Sequence, residues 1–301
     1  MPKTTLGPAE IRSALRARLG PISELRPLTE GEVSQVFAFR IGGDDLVVRV
    51  AGSRHEYDKE RYVVENLRPA GVPVPDIVDI WHHDVAHVIC VSRHLEGVTV
   101  DRCSAEQAAD LIQPVLRAHS AITAVDISAT TGFGTFDATG RADHASWPDY
   151  LAAAAHEPLA APPGHRGRVE SLGSTLIELA PECPNLRHLV HADFGGNNLL
   201  TDGTTVTGVI DWPQALFGDP MYDAAWSIFW GSWIEPMRVH GDALWSAWAD
   251  TPRASTRLLC CVIHVGIGAA DYFVREGRDA TAIAVVDRTA DLAGRLSRPS
   301  P

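Results

Sequence analysis

Two aspartates and an asparagine in the second half of the chain have the types and spacing of a phosphoryl-transfer site. Asp193 precedes Asn198 by five residues, and Asp211 follows after a second short apolar run. Carboxylate and amide oxygens, without histidine or cysteine, are the hard ligands that Mg²⁺ shares with substrate phosphates. A carboxylate that is left free of metal can accept a proton from an attacking hydroxyl. The trio therefore predicts metal-assisted transfer of a phosphoryl group to an alcohol.

The residues between these three indicate how they could meet. The glycine pair 195–196 lets the loop after Asp193 turn sharply. The dipeptide at 202–203, Asp-Gly, predicts a hairpin turn between two short apolar strands. Asn198 and Asp211 would lie at the open end of that hairpin. The alternative interpretation is an ordinary hairpin with turn-forming Asp and Asn, which are frequent in loops.

The first third of the chain has the pattern of a small antiparallel sheet with one main helix. Two β-rich runs flank a glycine-containing turn and predict a hairpin, and a helical periodicity follows them. A Val-Pro-Val-Pro segment then ends the helix, because the residue before proline avoids the helical conformation. The predicted strands are 22–28, 36–41, 46–50, 77–80 and 87–91, and the predicted helix is 57–67.

The remainder of the chain reads as mainly helical. Ser104 and Gln107 form a capping box before a helix that Pro114 should kink. Residues 131–148 contain three glycines and are predicted to be loop, and residues 221–296 are predicted to be mainly helical. The fold class predicted is α+β, with an N-terminal lobe at 1–96, a hinge at about 92–97 and a C-terminal lobe at 97–301.

Composition excludes several classes of protein. A hydrophobic content of 45% excludes a disordered chain, and a net charge of −12 argues against a nucleic-acid partner and suits a cationic one. Five cysteines without a CxxC pair predict neither a disulfide framework nor a thiolate zinc site. The apolar stretch 258–270 is too short to span a membrane and is predicted to be a buried helix. We therefore expect a cytoplasmic monomer without a membrane or nucleic-acid partner.

Several motifs spread from about residue 25 to residue 235 carry a family resemblance. The chain resembles the aminoglycoside phosphotransferases, which are protein-kinase-like enzymes. The matching segments are Arg-His-Leu-Val-His-Ala-Asp-Phe-Gly at 187–195, Val-Ile-Asp-Trp at 209–212, Phe-Gly-Asp at 217–219, Leu-Thr-Glu-Gly-Glu at 28–32, and Arg-Ala at 117–118 with Thr-Gly-Phe-Gly at 131–134. The resemblance implies a bilobal protein-kinase-like fold and a kinase that uses ATP and Mg²⁺.

The resemblance also implies a role for each matching position. Asp193 would be the catalytic base, Asn198 and Asp211 would hold Mg²⁺, and His191 would brace the loop. Gly31 and Ser34 would belong to the loop over the phosphates. The adenine would meet the hinge residues Ser92, Arg93, His94 and Leu95.

Two departures from the kinase pattern concern the phosphate-binding residues. The third strand carries Arg49 where a kinase has lysine, and Arg offers phosphate a planar fork instead of a point charge. Its expected partner is Glu60, with Glu56 as the alternative. If Arg49 has no function, it is a surface arginine on the hairpin. The phosphate loop has the single glycine Gly31 in place of a G-x-G-x-x-G motif.

The acceptor that the resemblance implies is a cationic aminoglycoside, and hygromycin B is the expected antibiotic. A polycation needs carboxylates and aromatic walls. The candidate contacts, besides Asp193, are Asn197, Trp230, Trp233, Glu235, Asp271 and Tyr272. The alternative interpretation is that the tryptophans pack in the core and that the acidic residues lie on solvated helix faces. A kinase for a macrolide or metabolite, and an ATP-binding module without activity, are the alternative functions.

Overall fold

A computed structural model describes residues 5–28, 34–156 and 159–297 of the chain. Within those ranges the helices and strands alternate early and become mainly helical later. In chain order they are α1 (Pro8–Leu19), β1 (Ser23–Pro27), β2 (Gln35–Ile41), β3 (Asp44–Ala51), α2 (His55–Asn66), β4 (Ile77–His82), β5 (Val88–Arg93), β6 (Val98–Thr99), α3 (Ala105–Asp110), α4 (Ile112–Thr123), β7 (Phe133–Phe136), β8 (Ala142–His144), α5 (Trp147–His156), α6 (Arg166–Leu179), β9 (His188–Val190), β10 (Leu199–Thr201), β11 (Val206–Val209), β12 (Leu216–Gly218), α7 (Met221–Trp230), α8 (Glu235–Trp248), α9 (Ala254–Arg275) and α10 (Asp279–Leu296).

The N-terminal part is a five-stranded antiparallel sheet in the order β1-β2-β3-β5-β4. Its strands and the helix α2 confirm the elements predicted from the sequence. Helix α1 was not predicted; its Ile11 and Leu15 are fully buried in a core shared with β2, β3 and β5. The fold class is thus the one predicted, with one more helix in the sheet-containing part.

Helix α2 joins the two parts of the molecule. Val63 and Val64, near its C-terminal end, and Leu67 directly after it belong to the large core that the C-terminal helices build, whereas Tyr57, near its N-terminal end, packs with Cys90 of the sheet. Because the two ends of one helix are buried against different parts of the fold, α2 fixes how the sheet sits relative to the C-terminal half.

The predicted kink at Pro114 is replaced by a break between two helices. The chain leaves the helical conformation at Leu111, where ψ is −2°, and resumes as α4, which places Pro114 in the first turn. A missing N–H is tolerated in a first turn, since that donor has no partner within the helix. The capping box was predicted correctly: Ser104 Oγ accepts from the Gln107 N–H, and Gln107 Oε1 accepts from the Ser104 N–H.

The prediction of loop throughout residues 131–148 was wrong. This segment contains β7 and β8, and β7 extends a sheet in the order β8-β7-β12-β9. Gly134 has a φ of 86°, and a Cβ there would lie 2.1 Å from the Tyr150 ring. The glycines therefore allow close packing of a strand whose partner β12 is about 80 residues away, which no local pattern reveals.

The C-terminal half was correctly predicted to be mainly helical, and α9 lies at its centre. By length and composition α9 could cross a membrane, yet 67% of its apolar window is buried inside this protein. Its contacts with α7, α6, α5 and α10 account for that burial. The predicted buried helix over 258–270 is therefore confirmed as part of α9.

Candidate active site

The hairpin β10–β11 brings Asn198 and Asp211 to one end of a short ribbon. Leu199 pairs with Val209 in antiparallel register, and the Ile210 N–H donates to the Asn198 carbonyl at 3.0 Å. At the opposite end Asp202 Oδ1 accepts from the Thr204 N–H at 2.8 Å, which closes the turn. The hairpin predicted from the sequence is present, and its open end faces the loop that carries Asp193.

His191 ties that loop to the strand leading to Asp211. It is fully buried; its Nε2 lies 3.0 Å from the Ile210 carbonyl, and its Nδ1 lies 3.3 Å from the Asp193 N–H. Burial lowers the pKa of His191, so the ring is neutral at pH 7. The neutral tautomer with its proton on Nε2 satisfies both contacts, because Nε2 donates to the carbonyl and Nδ1 accepts from the amide.

The carboxylate of Asp193 lies in a confined polar environment. The side chains of Asn198 and Trp226 hydrogen-bond to it, and the Asn198 amide also donates to the Asp193 backbone carbonyl at 3.0 Å. Burial, followed by the negative charge of Asp211, raises the pKa of Asp193 to about 8. The negative charge of Asp211 disfavours ionisation of Asp193, and a cation between the two carboxylates would relieve that repulsion. Sequence reasoning missed Trp226, which no motif marks.

Backbone strain is concentrated beside the two aspartates. Ala192 and Asp211 have φ values of 62° and 64°, in the left-handed region that costs a non-glycine residue about 1–2 kcal/mol. The glycines 195–196 do not take positive φ; a Cβ at Gly195 would lie 2.3 Å from Met237 Cε. A side chain at either glycine would crowd its neighbours, Met237 or Asp101, and the positive φ that the sharp turn needs falls at Ala192 instead of at the glycines.

Helix α7 holds the strained loop from beneath. The buried Asp223 carboxylate accepts from the Ala192 N–H at 2.7 Å and from the His191 N–H at 3.3 Å. His119 Nε2 lies 3.5 Å from the same carboxylate. Ser227, one helical turn later, donates to the Phe194 carbonyl at 2.7 Å. The sequence pattern did not predict this role for Asp223, and it gave no indication of His119 or Ser227.

A buried ion pair fixes the segment that follows the hairpin. Arg257 Nε and Nη2 donate to the two Asp219 carboxylate oxygens at 2.7 and 2.6 Å, and both side chains are almost fully buried. The Met221 N–H also donates to Asp219 Oδ1 at 2.9 Å. Paired donors of this kind orient a carboxylate closely. Asp219 therefore anchors the start of α7, which in turn holds the Asp193 loop.

Arg49 faces the same site from the sheet. Its Nη2 donates to Glu60 Oε2 at 2.6 Å, and the side chains are 14% and 1% exposed respectively. Of the two partners considered from the sequence, the structure pairs Arg49 with Glu60. Burial opposes the charge of Arg49, but the negative charge of Glu60 and, more weakly, that of Asp211 raise its pKa well above the usual value, so the guanidinium lies within electrostatic range of Asp211. A surface arginine is therefore excluded.

Of the predicted phosphate loop and hinge, the structure describes Ser34 and the four hinge residues. Gly31 lies outside the described residues, and Ser34 is half-buried directly before β2. Ser92 and Arg93 end β5, and the His94 N–H donates to the Asp45 carbonyl at 3.1 Å. Leu95 packs so closely on β11 that a Cβ at Gly208 would lie 2.6 Å from its Cδ1. The hinge therefore touches the hairpin that carries Asp211.

The candidate acceptor contacts divide into two groups. Asn197 is exposed on the loop itself, and Ile234, between Trp233 and Glu235, lies against that loop, since its Cγ2 would be 3.3 Å from a Cβ at Gly196. Trp233 is 49% exposed. Glu235 is exposed and pairs with an arginine one helical turn away.

The other candidates lie farther from the loop or have partners within the protein. Trp230 is half-buried against Trp233 and Phe273, and its indole nitrogen is buried with no hydrogen-bond partner. Tyr272 is 40% exposed and its ring packs edge-on against Phe273. The Asp271 carboxylate accepts from the Ala160 N–H at 2.8 Å and from an arginine in the same helix, so it already closes a loop within the protein.

The donor set at the hairpin suits a hard cation that is completed by phosphate. Asn198 and Asp211 supply amide and carboxylate oxygens beside Asp193, which is the ligand chemistry of Mg²⁺. Across residues 5–28, 34–156 and 159–297, no group of three or more His, Cys, Asp and Glu side chains is placed to hold a metal by itself. A cation held by Asn198 and Asp211 would complete its coordination with waters or with phosphate oxygens.

Comparison with protein-family models places residues 24–255 in a family described as "Phosphotransferase enzyme family". A curated relative, the hygromycin-B 4-O-kinase of Escherichia coli, is 36% identical over 242 residues, which covers 79% of this chain and 71% of the relative. The match therefore includes the sheet, the hairpin and the start of the C-terminal helices.

Solved structures are similar over almost the whole chain. The crystal structure of aminoglycoside phosphotransferase APH(4)-Ia is 30% identical, with a TM-score of 0.89, and covers 97% of this chain and 100% of that one. A thermostable mutant of the same protein, crystallised as a ternary complex with AMP-PNP and hygromycin B, has a TM-score of 0.88 at 30% identity over the same shares.

Proposed function

This chain belongs to the phosphotransferase enzyme family, and on that premise we propose that it transfers the γ-phosphoryl group of ATP to a hydroxyl of an aminoglycoside, with hygromycin B as the acceptor. The observation that carries the proposal is the convergence of Asp193, Asn198 and Asp211 on one hairpin and one loop, joined through His191. An alcohol and a triphosphate that carries Mg²⁺ can meet at such a site.

Asp193 is the proposed catalytic base. Its carboxylate is positioned by Asn198 and Trp226 and is the group best placed to accept the proton of an incoming hydroxyl. Its raised pKa makes the carboxylate a stronger proton acceptor, and a neighbouring positive charge in the loaded site would keep it ionised. The contacts of Asp193 therefore support both orientation of the acceptor and removal of its proton.

Asn198 and Asp211 are the residues that would hold Mg²⁺ together with the ATP phosphates. The bound ion supplies neutralisation of charge on the phosphoryl group in transfer, a contribution of several kcal/mol. Arg49 faces the same phosphates with Glu60 holding its guanidinium. An arginine here keeps its charge at every physiological pH and can donate two parallel hydrogen bonds to phosphate.

The remaining nucleotide contacts come from the sheet side. We assign the adenine to the backbone of Ser92, Arg93, His94 and Leu95, and the phosphate cover to Gly31 and Ser34. The nucleotide ATP is also favoured by the relative whose structure contains AMP-PNP. A monomer in the cytoplasm, where ATP is abundant, is the form in which we propose that the protein acts.

The acceptor surface is proposed to lie beside the loop at Asn197, Trp233 and Glu235, with Trp230 behind them. Exposed aromatic rings and carboxylates can bind the ammonium groups of an aminosugar, and a net charge of −12 favours approach of a polycation. Asp271 and Tyr272 stay candidates at the rim; the hydrogen bond from the Ala160 N–H leaves Asp271 fewer free lone pairs for a ligand.

The test is mass spectrometry of an antibiotic panel after incubation with the protein, ATP and Mg²⁺. Hygromycin B should gain one phosphoryl group, and the matched variant Asp193→Asn should leave it unmodified. Transfer to a macrolide or a metabolite alone would replace the proposed acceptor. Nucleotide binding without transfer to any compound would refute the enzymatic proposal.

A further inference from the structure

The side chain of Lys59 makes an unusual contact between α2 and the segment after Asp211. Its ammonium donates to the Pro213 carbonyl and to the Ala215 carbonyl, both at 2.6 Å, and it lies 4.5 Å from the centroid of the Phe136 ring. The residue is 1% exposed, and burial lowers its pKa to about 7. An ammonium in such a place is costly unless its donors are satisfied, and here two carbonyls and an aromatic face meet it.

Lys59 and its neighbour Glu60 contact opposite sides of the nucleotide site. Glu60 accepts a hydrogen bond from Arg49 on β3, whereas Lys59 donates to the backbone carbonyls two and four residues after Asp211. Consecutive residues of a helix project about 100° apart, so one turn of α2 reaches both segments. The distance between the phosphate-facing arginine and the metal-facing aspartate is thereby set through two adjacent side chains.

The contact of Lys59 lies next to a strained part of the backbone at Asp211. Asp211 has a φ of 64°, a conformation that persists in a non-glycine residue only where its surroundings enforce it. On the upstream side the Ile210 N–H donates to Asn198, and the Ile210 carbonyl accepts from His191. On the downstream side, Lys59 holds Pro213 and Ala215. The strained residue is thus fixed from both directions.

We propose that Lys59 is a positioning residue for the reaction: it holds the segment after Asp211 in the arrangement that binds metal and nucleotide together. This inference rests on the proposed function for its meaning, but it concerns the chain's own geometry. Simple core filling does not explain it, since an aliphatic residue could fill the space without burying a charge. The chain has only two lysines, Lys3 and Lys59, among 26 basic residues, and one of them occupies this buried position.

The experiment compares Lys59→Met with Val63→Ala by calorimetric binding of ADP, once with Mg²⁺ and once in EDTA. Methionine keeps the length of the stem and removes the donors, whereas the control trims an apolar contact on the same helix. If Asp211 is competent in only a fraction of molecules, the apparent affinity falls by that fraction. Loss of hydrogen bonds from a charged group predicts that Lys59→Met binds ADP with Mg²⁺ about tenfold to a hundredfold more weakly.

The affinity of the Lys59→Met variant for ADP in EDTA should stay at the wild-type value. In Val63→Ala, the ratio of the ADP affinity with Mg²⁺ to that in EDTA should equal the wild-type ratio. Equal weakening with and without Mg²⁺, or no weakening at all, would overturn the inference. A general loss of structure would affect both conditions alike, so the difference between them separates positioning from stability.

A second measurement uses the wild-type protein and does not depend on a variant that folds. Lysine labelled with ¹³C at Cε gives signals from only two lysines, and Lys3→Arg assigns them. Addition of Mg²⁺ to the ADP-bound protein should move the Lys59 signal; an unchanged signal would refute the inference. Neither measurement requires transfer to an acceptor, so a protein that phosphorylates no aminoglycoside would refute the proposed function and leave this test intact.

Discussion

Replacing Asp223 by asparagine should weaken both the fold and the reaction, because this carboxylate holds the backbone amide of the strained Ala192 and the amide directly before it. It accepts from the Ala192 N–H at 2.7 Å and from the His191 N–H at 3.3 Å. Asparagine keeps one acceptor oxygen and places an amide N–H₂ opposite the second backbone donor. One charge-assisted hydrogen bond is therefore lost, and the other becomes a neutral one.

The magnitude follows from those two contacts. A hydrogen bond to a charged group contributes about 1.5–3 kcal/mol and a neutral one about half of that, so the free energy of unfolding should fall by about 2–4.5 kcal/mol. At about 2–4 °C per kcal/mol, Tm should fall by roughly 5–18 °C. The loop is then free to relax at Ala192, and a shift of about 1 Å in Asp193 would lower kcat by roughly 10²-fold.

Urea denaturation and a coupled assay of ADP release with hygromycin B measure the two effects. Asp242→Asn, an exposed position on α8, is the matched control and should change neither value. The ADP affinity of Asp223→Asn should stay close to the wild-type value, because the contacts lie beneath the loop. A variant with the expected loss of stability and an undiminished kcat would refute the claim that α7 positions Asp193.

Three further predictions test other parts of the molecule. Asp193→Asn should lower kcat by about 10²–10⁴-fold and leave ADP binding intact, so near-normal ADP release would exclude Asp193 as the base. Arg257→Met strands the Asp219 charge in the core and should cost about 3–5 kcal/mol in urea denaturation; a loss below about 1 kcal/mol would mean that the pair is dispensable. His264 accepts from Tyr222, and burial lowers its pKa to about 4, so it is neutral when folded and charged when unfolded between pH 4 and 6.5. Because of His264, the free energy of unfolding of the wild-type protein should therefore fall by about 2 kcal/mol between pH 7.5 and pH 5. His264→Gln should lose about 2 kcal/mol less than the wild type over the same pH range. An equal loss in both proteins would contradict the assignment.

Local sequence was sufficient for the hairpin and for the elements of the sheet. The turn at 202–203 and the apolar runs beside it determine which residues pair. The proximity of Asn198 and Asp211 could therefore be predicted from the sequence. Arg49 and Glu60 are eleven residues apart, on a strand and the helix that follows it, and that pairing could also be predicted. Short separations allow such predictions because few chain conformations are compatible with them.

The unpredicted elements depend on pairings between distant segments. Strand β7 is predicted to be loop because its Gly134, which makes room for Tyr150, and the neighbouring glycines suggest a turn, and because its pairing partner β12 lies far along the chain. Helix α1 has a modest apolar face whose burial depends on the assembled sheet. In both cases the local residue preference is weak, and tertiary packing decides the conformation.

The residue types of the site were determined by the sequence itself: two carboxylates, an amide and an arginine, at spacings that a hairpin and a short crossover can close. Tertiary structure alone decided which residues support them. Trp226 reaches the Asp193 carboxylate from α7, Lys59 reaches Pro213 across 154 residues, and Asp271 is drawn to Ala160 across 111. Each of these contacts satisfies a polar group that burial would otherwise leave unpaired, and which group is buried beside which is fixed only when the helices pack.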